Sequence, residues 1–201
     1  MIVSRLKRVF VGGSAGNEQL TLAVGALLIV LLAVEGATIL RIGSLLTIHA
    51  FVGMLLIPVV ALKLASTGWR MLRYYQRGEE YVLRGPPHIA LRMLVAPVLV
   101  LSTLLVFGTG VALLALDQRH GTLVGLHKAS FLVWAGAFGV HTLAHLLELP
   151  RLRRVRIPGA LLRVALATAS VAAGLVLALE TLPAADRLQD HASERVGFVD
   201  R

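Results

Sequence analysis

Three histidines, His127, His141 and His145, stand in one strongly apolar stretch, and His49 stands in another. At ~100° per residue on a helix, His141 falls about 40° from His127, and His145 falls almost in line with it. Ionisable side chains inside hydrocarbon are costly and mark function by default. Imidazoles placed there ligate iron or another transition metal, carry protons, or hydrogen-bond a neighbour. Two neutral imidazoles on facing helices are what an iron porphyrin needs, one on each side of the ring.

The elements that must carry these residues follow from composition. The chain has 201 residues, 57% of them hydrophobic, with a mean hydropathy of +0.79. Soluble domains seldom reach such values, and several runs are long enough to cross about 30 Å of hydrocarbon. Five spans are predicted, over 19–40, 44–66, 91–116, 122–148 and 159–180. Arg5, Lys7 and Arg8 precede a polar Gly12–Glu18 stretch, and no small-x-small cleavage site follows, so the first span reads as retained. The connections at 41–43 and 117–121 are short, which makes spans one and two, and spans three and four, antiparallel hairpins.

Charge then sets the expected orientation. Of the 20 Lys and Arg, only Arg41, Arg119, Lys128, Arg187, Arg195 and Arg201 fall on one side. All the others lie in the N-terminal segment, the 67–90 and 149–158 loops and the adjoining span ends. The positive-inside rule puts that basic side in the cytoplasm, with the N-terminus in and the C-terminus out. Trp69, Tyr74, Tyr75 and Tyr81 fit an inner-interface belt. The net charge of +9 therefore speaks for topology and not for nucleic acid. The chain has no cysteine, which removes covalently attached haem, iron–sulfur clusters, thiolate zinc sites and disulfides together.

The expected fold is an all-α, polytopic transmembrane helix bundle of five spans in the inner membrane. Residues 1–18 form a cytoplasmic segment, and 19–148 a four-helix haem-binding core. Residues 149–180 give a basic loop and one extra helix, and 181–201 a polar, mobile tail. Spans two and four run the same way, so His49 and His127 should share a depth near the outer face. Gly53, one turn after His49, leaves room for a porphyrin, and Gly108 and Gly110 can do the same. His141 lies about 21 Å further along span four, near the inner face. Lys63 follows His49 by the same step. These four positions would serve two stacked haems, with Trp134 between them. Lys63 has two readings, a neutral amine ligand or a lysine snorkelling to the interface. His145 is either an alternative to His141 or a hydrogen-bonding neighbour of the site.

The pattern resembles the bacterial four-helix di-haem cytochrome b family, which includes the cytochrome b subunits of formate dehydrogenase and nickel–iron hydrogenase. The likeness covers roughly residues 17–148. In that family one histidine on the second span and two on the fourth bind two b haems, and His49, His127 and His141 match those positions. The family's remaining ligand is usually a histidine near the inner end of the first span. Here that region reads Gly16-Asn17-Glu18-Gln19. The inner haem is thus expected to be Lys63-ligated, five-coordinate or absent. The strings Leu126–Phe131 and Gly85–His88 also resemble a group of cytochrome-b-like bacterial membrane proteins, which supplies no activity.

The resemblance implies one or two b haems and electron exchange with a quinol, a quinone or a partner redox subunit. Glu35, inside span one, is a candidate proton relay to a quinone or a partner for Arg41 or Lys128. His88 is a quinone, propionate or iron contact, or an interfacial residue after a rigid turn. His120 and His191 read as solvated. Pro58 and Pro97 are expected to kink spans two and three, and the 151–156 basic run to face anionic lipid. The rival reading is a haem-free membrane protein whose histidines bind a transition metal or carry protons, with His141 and His145 spaced to chelate zinc or copper. Neither reading predicts an oligomeric state.

Overall fold

A backbone in hydrocarbon must satisfy its own N–H and C=O groups, and an apolar chain does this by coiling into helices. The computed structural model describes residues 13–77, 82, 91–146 and 159–199, and these are helical apart from short turns. The N-terminal residues 1–12, Tyr81, the Gly85–His88 string and the 151–156 basic run lie outside the described residues. So do the side chains of His145 and His191.

Helix α1 spans Gly13–Ile39 and α2 spans Ile42–Tyr75. A π-helical turn at Leu91–Val95 leads into α3, Ala96–Ala115. Helix α4 covers Thr122–Leu146 and α5 covers Ala160–Val199. Five segments are long and apolar enough to cross a membrane: Ser14–Ile39, Ile42–Tyr75, Met93–Ala115, Thr122–Ala144 and Ala160–Asp190. They match the five expected spans in order.

Three details differ from the sequence expectation. The irregular backbone in α2 falls at Leu45 (φ −115°, ψ 20°), not at Pro58. Pro97 sits in the first turn of α3, directly after the π-helical turn, and not within the length of the helix. The polar stretch after residue 180 is not a loose tail: α5 continues through it to Val199. Ala185 and Leu188 are buried there with Met54 of α2. Gln189 also accepts from Leu46 N (2.9 Å) and Thr47 N (3.3 Å) and donates to Gly43 O (2.8 Å). It therefore caps α2 where that helix restarts after Leu45.

Packing divides the bundle into two parts. Helices α1, α2 and α5 form one, around Leu20, Val24, Leu28, Val52, Leu56 and Val59. The fifth helix, expected outside the core, makes the most extensive contact of all, with α2. Gly174 permits this, because a side chain there would run into the backbone of Leu55. The second part is the α3–α4 hairpin. Helix α4 packs on α3 and the π-helical turn and scarcely approaches α2 at the backbone. Asp117 (φ 51°) and Gly121 (φ 93°) take the left-handed conformation that lets the α3–α4 connection reverse within a few residues.

Candidate functional site

His49 enters the bundle just after the capped start of α2, and His127 lies in the second turn of α4. Their rings meet across the gap between the two parts, with centroids 6.4 Å apart and planes at 82°. The shared depth expected of parallel spans thus becomes a direct juxtaposition. The side chain of His49 is 21% exposed and that of Glu35 16%.

The hydrogen bonds around each ring assign its tautomer. Thr109 Oγ1 lies 2.6 Å from Leu105 O and 3.2 Å from Val106 O, and 3.0 Å from His127 Nδ1. A hydroxyl has one proton, and here the i−4 carbonyl takes it. The oxygen must then accept from His127, which places a proton on Nδ1 and leaves the lone pair on Nε2. The same logic holds for His49. Thr38 Oγ1 donates to Glu35 O at 2.6 Å and stands 3.0 Å from His49 Nδ1. Glu35 Oε1 is also 3.0 Å from that nitrogen. Nδ1 of each imidazole therefore has a threonine oxygen at 3.0 Å, and His127 also hydrogen-bonds the Val106 backbone. Outer partners on Nδ1 that fix tautomer and orientation are the usual support of a metal-bound histidine.

The spacing can be tested against a porphyrin iron. An imidazole nitrogen about 2.1 Å from a metal sets its ring centre about 3 Å away, so two rings flanking one metal have centroids about 6 Å apart. The separation of 6.4 Å suits that arrangement. Two protein donors also suit it, since the porphyrin supplies the other four. Among the described residues no cluster of three or more His, Cys, Asp or Glu is disposed to hold a bare metal ion.

The glycines act differently from expectation. A Cβ on Gly110 would lie 3.2 Å from His127 Cε1, and one on Gly53 would lie 3.4 Å from Glu35 Oε1. Gly110 clears space for the imidazole, whereas a Cβ on Gly53 would make ordinary contact with the carboxyl. Gly108 has nothing within 4 Å.

The inner positions are arranged otherwise. Lys63 Nζ donates to Thr21 O at 2.6 Å, and Gly25 makes room for it, since a Cβ there would fall 2.9 Å from Nζ. Lys63 forms no hydrogen bond with His141, which is half-buried on α4. Trp134 donates from Nε1 to Thr103 Oγ1 at 3.1 Å. Its ring stacks with Phe138 (4.9 Å, 10°) and Phe131 (6.2 Å, 26°). His120 is exposed in the α3–α4 connection, as expected.

Sequence reasoning missed Thr38, Thr103 and Thr109, and it sought the partner of Glu35 in Arg41 or Lys128. A usable signal was present. In an antiparallel hairpin, residues equally far from the turn share a height. Glu35 with His49, and Thr21 with Lys63, are both centred on Ile42, just past the Leu40–Arg41 turn. Thr109 pairs with His127 and Thr103 with Trp134 about the 116–121 turn.

No family model matches this chain, and no curated protein or solved structure matches it significantly. The likeness to four-helix cytochromes b stands on the histidine pattern alone.

Proposed function

We propose that this multi-pass membrane protein is a b-type cytochrome in which His49 and His127 hold one haem near the outer end of the bundle. The observation that carries the reading is the pair of imidazoles with centroids 6.4 Å apart, each with Nδ1 at 3.0 Å from a threonine hydroxyl that would orient it toward iron. When bound, haem supplies one-electron redox chemistry that no side chain of this chain can supply. The chain's own contribution is to fix both rings and to surround them with apolar helices. Thr38 and Glu35 orient His49, Thr109 orients His127, and Gly110 gives the second ring its seat. The two-donor set favours a porphyrin over a bare zinc or copper ion, which takes three or four protein ligands.

One haem is favoured over two. Lys63 is held by the Thr21 carbonyl, which removes the inner ligand that the first span lacks as a histidine. The distribution of Lys and Arg supports an inner-membrane protein with its N-terminus in the cytoplasm and its C-terminus outside. Electrons would pass between this haem and a quinol, a quinone or a partner redox subunit. A reduced-minus-oxidised spectrum of the purified, haem-supplemented protein tests the reading. Sharp b-type bands are expected, and their absence overturns it.

A second reading has one specific observation behind it. Glu35 Oε1 stands 3.0 Å from His49 Nδ1 inside a membrane span, a pair able to pass a proton. A chain that takes up no haem leaves proton transfer ahead.

A further inference from the structure

The two proposed axial histidines are held by unlike groups. His127 Nδ1–H meets a neutral hydroxyl, Thr109 Oγ1, at 3.0 Å. His49 Nδ1–H meets Thr38 Oγ1 at 3.0 Å and also the carboxyl oxygen Glu35 Oε1 at 3.0 Å. The other oxygen, Glu35 Oε2, is buried and accepts no hydrogen bond. Neither Arg41 nor Lys128 reaches it. The surroundings are shaped for this carboxyl. Gly53 lies against Oε1, and the Thr38 hydroxyl donates to the carbonyl of Glu35 itself. A carboxyl placed in hydrocarbon without a cation is costly, so its seat against the histidine is a built feature.

A carboxylate that accepts from the far nitrogen of a metal-bound imidazole fixes the ring and raises its basicity. A more basic ligand stabilises ferric iron relative to ferrous iron. We infer that Glu35 is a positioning residue for His49, making it the stronger of the two axial donors and lowering the midpoint potential of the iron. This rests on the haem reading above.

An equilibrium redox titration of the wild-type protein, Glu35→Gln, Glu35→Asp and Thr109→Val tests it. Folding is checked by circular dichroism and haem content by pyridine haemochrome. Glutamine keeps the length and an acceptor oxygen but removes the carboxylate. Glu35→Gln is expected to retain haem and to titrate at a higher potential than wild type. Glu35→Asp should fall between them, because the shorter side chain weakens the contact, and it carries the test if Glu35→Gln does not fold. Thr109→Val should move the potential less than Glu35→Gln. Glutamate variants that titrate with the wild type overturn the inference. Folded glutamate variants without haem overturn it too, since Glu35 would then hold the site together instead of tuning it. A wild-type chain without haem is a separate result, read before any variant, and it removes the haem reading itself.

Discussion

The two ends of the bundle use intramembrane polar groups in opposite ways. At the end where α1 begins, the inner end in the proposed orientation, polar side chains close on one another and on the neighbouring backbone. Asn17 Nδ2 donates to Ser66 O, Thr21 Oγ1 to Asn17 O, Lys63 Nζ to Thr21 O, and Arg163 Nη2 to Gln19 Oε1. That network binds the starts of α1 and α5 to the far half of α2. At the outer end, Glu35, Thr38 and Thr109 each spend their contacts on the near side of an imidazole. A membrane histidine or lysine is therefore read less by its presence in a span than by which of its atoms its neighbours occupy.

The helices differ in the same sense. The inner network lies within the α1–α2–α5 part, where Gly174 lets two helices touch. The histidine pair lies between that part and the α3–α4 hairpin, which packs mainly on itself. A group bound there would join two pieces that the protein alone leaves loosely connected.

Substitutions at the two ends should separate these roles. The largest effect belongs to the outer pair. Removing either proposed ligand, by His49→Ala or His127→Ala, is expected to abolish the low-spin ferric signal in electron paramagnetic resonance. A low-spin signal that persists in both variants would place the iron elsewhere. Next comes Thr109→Val, which takes away the acceptor on His127 Nδ1. Lost outer-shell partners typically cost about 10–100-fold in metal affinity, and haem titration of the apoprotein should show a loss of that order. An unchanged affinity would break the tautomer argument.

Asn17→Ala tests the inner end. It removes a buried bond to Ser66 O, and the unfolding free energy in detergent should fall by about 1 kcal/mol. Haem content per folded chain should stay the same, and a parallel loss of haem would show that the ends are not independent. The smallest effect is expected for Lys63→Met, which leaves the haem spectrum as it was. A changed haem spectrum in that variant would return Lys63 to the list of ligands.

Much of the fold was legible because hydropathy and length dictate spans directly. The His49–His127 pair was legible for the same reason, since parallel spans bring equivalent depths together. The course of α5 was not. After residue 180 its polar side chains outnumber the apolar ones, and the helix is held there by Ala185, Leu188 and the cap that Gln189 gives α2. Neither small buried residues nor a cap on a distant helix leaves a hydropathy signal. The break in α2 was sought at Pro58, whereas it falls at Leu45, where the chain turns out of the hairpin. The anchor of Lys63 was hidden because its acceptor is a backbone carbonyl, which every residue possesses. The threonines beside the rings were within reach, because hairpin symmetry about the turns pairs them with His127 and Trp134.

The most direct test of the central claim is the pyridine-haemochrome stoichiometry of the wild-type protein beside His141→Ala, both purified after haem-supplemented expression. One b haem per chain in each is the expected result if His49 and His127 alone hold it, with Lys63 tied to the Thr21 carbonyl. Two haems per chain in the wild type, or loss of haem on removing His141, would contradict it.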